Sequence, residues 1–478
     1  MFRLGLLTAL LVVATLLPPV AHASTPLTWG PCPTEARAPD AECAEVSVPL
    51  DHNAPERSSI TISVSRIRAT GERRGVLFGN PGGPGTDALG MFSAERGVAF
   101  PPALREHFDL VAMQPRGLRW STPLECDTTA GAFAVGALLR QACDPAYADT
   151  ITTENTARDL EVVRQALSED TVHLYGLSYG AALMADYATL FPHHVDKMVL
   201  DSGVAPDSRW LNLYTDRVPA RMQRLHDLFA WIAQRNDIYG LGATPRAVYQ
   251  RWSDRIKQES GAPAPVPPPP ARPGDTPPQL SPWRDEYLAI DDALTEPIWR
   301  TTQYAYPGAR PSRLYDFTVF VGLYRSASWP EIADAIRHGT PDTRTDPVPL
   351  SMQYVITAIT CNENANPPAA HTIPNTAWNY LTGGNRIVAE ADVFGSGLLC
   401  AGWAPVTQPV PWSGEKLRHP PLVLHQTGDA AAPYAGGQAL AATFGARMIT
   451  VDGGDHGVAI HDLPETDQAI TNYLLGGE

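Results

Sequence analysis

A serine in a tight glycine turn is the residue of this chain best placed to act as a nucleophile. Ser178 lies at the centre of the run 176–180, which reads G-L-S-Y-G. A β-prone run, 172–175, precedes the turn, and a helical segment rich in Ala and Leu follows it as far as Pro192. A serine between a strand and a helix in such a turn is held in a strained conformation that exposes its hydroxyl to a base. The pattern therefore predicts a nucleophile elbow.

Two residues late in the chain have the types and the order that a serine nucleophile needs. Asp429 follows the β-prone run 421–425, and His456 follows the run 448–451. Acyl transfer by serine requires a histidine base and a carboxylate that orients it. In α/β-hydrolases these follow the serine in the order acid, then histidine, each on a loop after a strand. We therefore expect Ser178, Asp429 and His456 to form a catalytic triad.

Other residues offer alternatives for the acid and the base. Asp201 follows the strand after the elbow helix and is the second candidate for the acid. His461 and His425 are weaker candidates for the base, and His425 lies within its own strand, where a structural role is expected. Asp429 has the alternative role of a turn or helix-capping residue.

A glycine- and proline-rich loop follows an early strand at the place where an oxyanion hole is expected. The loop 79–85 reads G-N-P-G-G-P-G and directly follows the β-prone run 75–78. With few side chains, such a loop exposes main-chain N–H groups to a developing negative charge. We expect donors at Gly82, Gly83 and Tyr179, the residue after the nucleophile. An ordinary glycine–proline turn is the alternative.

Composition and charge exclude several classes of partner. The chain has 478 residues, a formal net charge of −15 and 44% hydrophobic residues. This length suits one large domain with an inserted lobe. The acidic balance argues against nucleic acid and against an anionic membrane surface as partners. The predicted chemistry implies no cofactor and no metal.

The first 23 residues are typical of a secretory signal peptide. Arg3 supplies a positive charge, 4–17 is an apolar core, and 21–23 reads A-H-A, a signal-peptidase site. We expect the mature chain to begin near Ser24 and the protein to be secreted into the extracellular space. A membrane anchor is the alternative for this segment.

Six cysteines in a secreted chain suggest disulfide bonds. Six cysteines allow 15 pairings. Pairing of nearest neighbours is the simplest, because each bond then closes a modest loop. Metal binding is the alternative, but the spacing typical of metal ligands is absent from the sequence. The three expected pairs are Cys32–Cys43, Cys126–Cys143 and Cys361–Cys400.

Alternating strand and helix patterns predict an α/β fold with a mostly parallel sheet flanked by helices. The α/β rhythm covers residues 24–205 and returns at 400–478, so these two blocks form the predicted catalytic domain. The segment 206–399 is mainly helical and rich in aromatics, which predicts an inserted cap or lid domain. Within it, the segment 262–282 has ten prolines in 21 residues and is expected to be an exposed or disordered loop.

Several of these motifs together resemble a known family. They are N-P-G-G-P-G at 80–85, A-R-D-L at 157–160, G-L-S-Y-G at 176–180 and the segment around Cys361. The chain is similar over nearly its whole mature length to secreted tripeptidyl aminopeptidases of actinobacteria, in the prolyl aminopeptidase branch of the α/β-hydrolases. The resemblance implies release of short peptides from free N-termini, in some members after proline. It also implies the triad named above.

The sequence departs from this family at two places. The family usually has an aspartate where Gln114 stands, and a Gly-Arg-Ser sequence where this chain has L-R-W-S at 118–121. Neither departure touches the predicted triad. Both lie in loops, so they bear on how the substrate fits. Arg116 lies between them and is expected either to brace these loops or to be a solvated surface residue.

An aminopeptidase must recognise a charged amine, which requires a carboxylate near the site. Glu363 is the candidate, because the apolar run 355–359 precedes it and the neighbouring Cys361 would anchor it. The alternative is a surface glutamate. The expected substrates are peptide or protein N-termini, and the chain is expected to act as a monomer without membrane contact after leader removal.

Two other functions fit parts of the pattern. A secreted carboxylesterase or lipase would use the same triad without an amine-binding carboxylate. A non-catalytic binding protein could keep the fold, but the intact set of Ser, Asp and His argues against it.

Overall fold

The computed structural model describes residues 27–96, 100–127, 136–303, 310–340, 350–366, 368–382 and 385–476. The expected signal peptide, 1–23, lies outside these residues. Among the described residues, no helix combines the length and the apolar character that crossing a membrane requires.

A mixed β-sheet forms the centre of the molecule, and nine of its strands lie in the described residues. They are β1 (Gly30–Pro31), β2 (Glu42–Pro49), β3 (Ser59–Ile67), β4 (Gly75–Asn80), β5 (Phe108–Met113), β6 (Val172–Leu177), β7 (Val195–Asp201), β8 (Leu422–Gln426) and β9 (Arg447–Val451).

The strand order is β1-β2-β3-β5-β4-β6-β7-β8-β9. Pairing is antiparallel from β1 to β5 and parallel from β5 to β9. The prediction of a mostly parallel sheet is confirmed. The carboxyl ends of the parallel strands share one edge of the sheet, which is where such folds place ligands.

The sequence analysis did not predict the antiparallel pair formed by β1 and β2. Ala44, Val46 and Val48 alternate with exposed residues along β2, and their side chains are buried against the core. Alternation of buried and exposed residues along a strand is the signal for a half-buried strand. In β2 this signal lies within a stretch rich in turn residues.

Helices cover both faces of the sheet and fill the insertion between β7 and β8. The described helices are α1 (Pro102–His107), α2 (Gly136–Ala142), α3 (Pro145–Ala148), α4 (Thr153–Ala166), α5 (Tyr179–Leu190), α6 (Leu211–Asp216), α7 (Val218–Ala233), α8 (Asn236–Tyr239), α9 (Pro245–Ser260), α10 (Arg284–Gln303), α11 (Arg313–Phe317), α12 (Trp329–His338), α13 (Leu350–Glu363), α14 (Ile373–Thr382), α15 (Arg386–Gly395), α16 (Tyr434–Phe444) and α17 (Pro464–Leu475).

Two hydrophobic cores lie on opposite faces of the sheet. On one face, residues such as Phe78 pack against α4, α5 and α16. On the other, residues such as Leu77 pack against α1 and α17. Neighbouring strand residues point to opposite faces, so the central strands are covered on both sides, as a parallel sheet requires.

The segment between β7 and β8, which we call the lid, has its own core. Trp252 is fully buried at its centre, surrounded by side chains of α7, α9, α11 and α12. β7 and β8 are nevertheless neighbours in the sheet, with Val199 opposite Leu422. The described residues between them include no strand.

The proline-rich segment differs from the expectation of an exposed loop. Ala264 and Val266 are fully buried in the lid core. The hydroxyl of Tyr249 donates to the Val266 carbonyl at 2.8 Å, and Ser253 accepts the Ala264 N–H at 3.0 Å. The segment lacks regular structure, yet its first part packs into the lid because its small apolar residues alternate with prolines.

Three disulfides join nearest neighbours along the chain, as the simplest pairing predicts. They are Cys32–Cys43, Cys126–Cys143 and Cys361–Cys400. The last bond ties the end of α13 to the segment that leads back into the sheet.

Arg116 is a brace, the first of its two predicted roles. It is fully buried, and its guanidinium donates to both oxygens of Asp159 at 2.7 and 2.8 Å. It also donates to the carbonyls of Pro49 and Leu50. These bonds hold α4 against the loop after β5 and the end of β2.

Candidate active site

The serine turn has the conformation of a nucleophile elbow. Ser178 joins β6 to α5 with φ 59° and ψ −124°, a region that non-glycine residues rarely adopt. Its N–H donates to the main-chain carbonyl of Asp201 on β7 at 2.9 Å. The residue is half-buried and lies at the carboxyl edge of the sheet.

The two glycines of the turn are required because main-chain atoms approach them closely. A Cβ on Gly176 would lie 2.2 Å from the carbonyl oxygen of Gly180. A Cβ on Gly180 would lie 2.2 Å from the carbonyl oxygen of Asn80, at the end of β4. Contacts this short would force the backbone apart, so only glycine lets α5 start this close to the sheet.

Asp429 and His456 form a hydrogen-bonded pair at the same edge. The Nδ1 atom of His456 lies 2.9 Å from Oδ2 and 3.1 Å from Oδ1 of Asp429. Asp429 is buried, and its Oδ1 also accepts the N–H groups of Ala431 and Ala432 at 2.8 and 3.0 Å. The carboxylate is thus fixed from two sides, and Nε2 of the imidazole remains for another partner.

Each member of this pair shifts the pKa of the other. Burial opposes both charged forms. Even so, the His456 charge and the hydrogen bonds hold the pKa of the Asp429 carboxyl below its ordinary value. Burial also opposes a charged imidazole, but the adjacent carboxylate raises the pKa of His456 above its ordinary value. The Asp429 carboxylate therefore makes the imidazole more basic, which helps it to take up a proton as a general base.

Asp201, the alternative acid, supports the histidine loop. It is fully buried and accepts the N–H groups of Val458 and Ala459, each at 2.9 Å, and the hydroxyl of Tyr175 at 3.0 Å. These bonds occupy its carboxylate. Asp201 thus links the loop that carries His456 to the strand beside the nucleophile.

The alternative bases have structural partners. His425 is fully buried, and its Nε2 lies 2.8 Å from the carbonyl oxygen of Ala432, which itself bonds Asp429 through its N–H. His461 lies 3.1 Å from the carbonyl oxygen of His456. Both histidines therefore help to shape the loops of the pair.

The histidine loop packs directly on the nucleophile turn. A Cβ on Gly457 would lie 3.2 Å from Cδ1 of Leu177. The N–H of Gly457 donates to the Ser202 hydroxyl at 2.9 Å. The residues next to His456 and next to Ser178 are therefore in contact, which brings all three predicted triad residues to one edge of the sheet.

The glycine loop after β4 lies against the same turn. A Cβ on Gly82 would lie 2.5 Å from the carbonyl oxygen of Leu177 and 3.1 Å from the main-chain nitrogen of Tyr179. Tyr179 begins α5, so its N–H has no acceptor within the helix. The loop and the helix start together form a wall beside Ser178.

The structure corrects one of the three expected oxyanion donors. The N–H of Gly82 donates to Oδ1 of Asn80 at 2.9 Å and is therefore occupied. Asn80 precedes Gly82 by two residues, a spacing typical of a turn in which an Asn side chain accepts a nearby N–H. Gly83 and Tyr179 are the two positions left for donors.

Gln114, where the family usually has an aspartate, is a fully buried connector. Its Oε1 accepts the Ala88 N–H at 2.7 Å, and its Nε2 donates to Asp87 and to the Arg119 carbonyl at 2.8 and 2.9 Å. An amide both donates and accepts, so Gln114 joins the loops after β4 and β5 in a way that a carboxylate alone would not.

Glu363 lies beneath the site, buried at the end of α13. Its Oε1 accepts the Thr153 N–H, and its Oε2 accepts the Trp210 indole N–H, each at 2.5 Å. Burial raises the pKa of the Glu363 carboxyl, against these bonds and the charge of Arg209. This differs from the expectation of an amine anchor, since both oxygens already have protein donors.

Glu390 is a more accessible carboxylate on the lid. It lies on α15, its side chain is 34% exposed, and one oxygen is 3.5 Å from Nη2 of Arg217. Arg217 is near enough to His456 to lower the pKa of the imidazole, against the larger effect of Asp429. Sequence reasoning missed Glu390, because its neighbours in the chain give no sign that α15 faces the site.

The lid also contacts the histidine loop directly. The N–H of His456 donates to the Tyr324 carbonyl at 2.9 Å, and the two rings meet edge to face with centroids 5.6 Å apart. Asp455 forms an ion pair with Arg224 and accepts the N–H and hydroxyl of Ser326 at 2.7 Å. The lid thus helps to fix His456, the candidate base, and sequence reasoning did not find this contact.

In the described part of the chain, no group of His, Cys, Asp or Glu side chains has the arrangement of a metal site.

Residues 76–462 match the model of the alpha/beta hydrolase fold family. The chain belongs to the α/β-hydrolase family. This span begins in β4 and ends after the histidine loop, so it includes every residue of the candidate site. The prediction of this fold is confirmed.

The chain is similar over most of its length to several named proteins. It is 30% identical over 487 residues to a tripeptidyl aminopeptidase of Streptomyces lividans, covering 94% of this chain and 84% of the relative. It is 26% identical over 501 residues to serine protease Hip1 of Mycobacterium tuberculosis, covering 95% and 89%. It is also 29% identical over 482 residues to carboxylesterase B of M. tuberculosis, covering 91% and 84%.

These relatives confirm the predicted resemblance to tripeptidyl aminopeptidases within the α/β-hydrolases. They also confirm that the protein is a hydrolase with serine peptidases among its relatives.

Proposed function

We propose that this protein is a secreted serine exopeptidase. It releases tripeptides or tetrapeptides from free N-termini, and cleavage after proline is among its activities. The observation that carries the proposal is the Asp429–His456 pair beside the Ser178 turn. It occurs in a chain that is 30% identical over nearly its whole length to a tripeptidyl aminopeptidase. No cofactor is needed for this chemistry.

In the proposed reaction, the hydroxyl of Ser178 attacks the peptide carbonyl and loses its proton to Nε2 of His456. Asp429 holds Nδ1, which fixes the tautomer and stabilises the imidazolium that forms. His456 then gives the proton to the leaving amine. Water hydrolyses the acyl-enzyme with the same histidine as base.

The negative charge on the carbonyl oxygen would be held by main-chain N–H groups. We assign this role to Tyr179, at the start of α5, and to Gly83. Donors fixed in place before the reaction stabilise the developing charge without reorganisation. The partial positive charge at the N-terminus of α5 adds to this effect.

The free amine of the substrate would bind a carboxylate near this site. Glu390 suits this role better than Glu363 does, because Glu390 is partly exposed and its ion pair with Arg217 is long, at 3.5 Å. A charged amine could replace that contact. Glu363 would first have to give up the Thr153 and Trp210 hydrogen bonds.

The proposal is tested with Ala-Ala-Pro-p-nitroanilide, with a free amine and with an N-acetyl cap. We expect cleavage of the free form, at least about 100-fold slower cleavage of the capped form, and no cleavage by Ser178→Ala. Glu390→Gln should reduce this discrimination by raising KM for the free form. Equal cleavage of the two forms by the wild type would contradict the exopeptidase proposal.

A carboxylesterase is the second candidate function, and one observation favours it. The chain is 29% identical to carboxylesterase B of M. tuberculosis over most of both chains. An esterase would hydrolyse short acyl esters with a far higher kcat/KM than any peptide anilide. The same assay, extended to p-nitrophenyl acetate and butyrate, separates the two candidates.

Secretion is supported by the leader-like sequence 1–23 and by the three disulfides. Disulfides form and persist in oxidising compartments outside the cytosol. Expression of the full chain in a secreting host, followed by N-terminal sequencing of the protein in the medium, tests this. We expect the sequence to begin at Ser24. Protein retained with the cells and beginning at Met1 would contradict it.

The substrates would be peptide or protein N-termini, and the active form a monomer. The acidic charge of −15 argues against nucleic acid and anionic membranes as partners. Size-exclusion chromatography with light scattering tests the expected monomer mass.

A further inference from the structure

A hydrogen-bonded bridge connects Glu363 to the residue that follows the nucleophile. Glu363 accepts the Thr153 N–H through one oxygen and the Trp210 indole N–H through the other. The Thr153 hydroxyl is hydrogen-bonded to the Tyr179 hydroxyl at 3.1 Å. The Trp210 ring packs on the Tyr179 ring, with centroids 5.3 Å apart. Both donors to Glu363 thus also contact the Tyr179 side chain.

Every member of this bridge is removed from solvent. Glu363 is 3% exposed, Thr153 0%, Tyr179 3% and Trp210 2%. A buried hydrogen bond is costly to lose, because the group left behind has no water to replace its partner. The bridge therefore holds the phenol ring of Tyr179 in one position.

Thr153 begins α4, so its N–H has no acceptor within that helix. The carboxylate of Glu363 satisfies this N–H and lies at the positive end of the helix. The charge of Glu363 thus has a structural partner, and Arg209 adds a second positive charge nearby.

The end of α13 is itself anchored on several sides. Cys361 forms a disulfide with Cys400. The side chain of Asn362 donates to the Ala148 and Ile151 carbonyls at 2.8 and 3.0 Å and accepts the Trp403 indole N–H at 2.8 Å. The residue before Glu363 is therefore fixed to the loop before α4, which gives the carboxylate a defined position.

We propose that Glu363 is a positioning residue for the oxyanion hole, which acts through Thr153 and Trp210 on Tyr179. The main-chain N–H of Tyr179 is one of the two donors assigned above. A fixed side chain keeps its own main chain from turning at the start of α5. The inference rests only on the serine acyl transfer in the proposed function and not on recognition of a substrate amine.

A positioning role predicts a loss in kcat. Removal of one complete oxyanion donor costs about 10²–10³ in kcat in other serine hydrolases. A donor N–H that is displaced but still present should lower kcat by a smaller factor. We expect kcat to fall about 10-fold in Glu363→Gln, which keeps one acceptor, and about 100-fold in Glu363→Ala. KM should change by no more than about twofold, because ground-state binding is untouched.

The test uses p-nitrophenyl acetate, which has no amine, beside the Ala-Ala-Pro anilide with a free N-terminus. The two Glu363 variants should lose the same factor in kcat on both substrates. Their affinity for phenylboronic acid, which forms a tetrahedral adduct with a reactive serine, should fall in parallel. If the wild type hydrolyses the ester but not the anilide, the exopeptidase proposal is contradicted. Kinetics on the ester would then still test the positioning role of Glu363.

Two further variants separate this role from a general loss of structure. Tyr179→Phe removes only the hydroxyl that bonds Thr153, and its effect should be less than additive with that of Glu363→Gln. Glu154→Gln is the matched control, since Glu154 follows Thr153 and pairs with Arg158 on the helix surface. It should behave like the wild type.

Two results would overturn the proposal. One is a rise in KM for the free-amine anilide with an unchanged kcat on the ester, which would make Glu363 the amine anchor after all. The other is wild-type kcat and boronate affinity in Glu363→Gln. If Glu363→Ala fails to fold, Glu363→Gln and Tyr179→Phe still decide the question.

Discussion

Asp201 accepts the main-chain N–H of Val458 at 2.9 Å, two residues beyond the proposed base. The main-chain carbonyl of Asp201 accepts the N–H of Ser178, also at 2.9 Å. One residue therefore holds both the nucleophile turn and the loop of His456. The separation between nucleophile and base depends on it, although Asp201 takes no proton in the proposed reaction.

We expect Asp201→Asn to lower kcat about 10-fold and the free energy of unfolding by about 1–3 kcal/mol. An amide offers one acceptor where the carboxylate accepts three donors, which leaves a buried N–H without a partner. Kinetics with p-nitrophenyl acetate and urea unfolding measure the two effects. Asp196→Asn, on the same strand but half-exposed, is the control. Wild-type values in Asp201→Asn would contradict the role.

Asp429→Asn should lower kcat by about 10³–10⁴ with little change in KM. An asparagine in this position can hold the imidazole in the wrong tautomer, and it cannot stabilise the imidazolium. Far-UV circular dichroism and urea unfolding show whether the variant is folded. A loss of less than tenfold would point to another acid, and Asp201→Asn would then show the larger loss.

The activity should rise with pH through the titration of His456. The base must be neutral, and the Asp429 carboxylate raises the pKa of His456 above its ordinary value of 6.5 despite burial. The acidic limb of kcat/KM should therefore have its midpoint above 6.5 in the wild type. In Asp429→Asn, the residual activity should titrate at a lower pH. A midpoint in the variant at or above that of the wild type would contradict the assignment.

Asp186 should contribute a fall in the free energy of unfolding as pH rises from about 4 to about 8. Burial raises the pKa of Asp186 from 3.8 to about 8, and the ion pair with Arg209 only partly offsets this. Between these values the folded chain retains a proton that the unfolded chain has released, so each rise in pH favours unfolding. Denaturant titrations at pH 5 and pH 8 measure the difference, which should be smaller in Asp186→Asn. An equal or larger difference in the variant would contradict this.

Loss of the Cys361–Cys400 disulfide should reduce the free energy of unfolding by up to about 4 kcal/mol. The bond closes a loop of 39 residues, and a longer loop leaves more freedom to the unfolded chain. The Cys361→Ala/Cys400→Ala variant should also lose kcat, because the bond anchors the helix that carries Glu363. If the variant loses stability but keeps the wild-type kcat, the other anchors of α13 are enough to hold Glu363 in place.

The proposed triad could be predicted because each member follows a strand in a fixed order. Ser178 follows β6, Asp429 follows β8 and His456 follows β9. The carboxyl ends of parallel strands meet at one edge of the sheet, so the strand pattern alone brings these residues together.

The parts of the site that depend on the lid could not be predicted in this way. The contact of Tyr324 with His456 joins residues far apart in the chain, through packing that no local pattern encodes. The sequence suggests Glu363 only as an amine-binding carboxylate or a surface glutamate, because its partners Thr153 and Trp210 come from other segments. Gly82 and Gly83 look alike in the sequence, and only the Asn80 hydrogen bond separates their roles.

The pairing of Val199 on β7 with Leu422 on β8 also bears on when the candidate site is completed during folding. The whole lid lies between these neighbouring strands, so the chain must close a very long loop before the sheet is complete. Because closing such a loop costs chain entropy, pairing between distant strands is slow. A chain folded only as far as β7 has the serine turn but neither acid nor base. The proposed peptidase activity therefore requires the finished molecule.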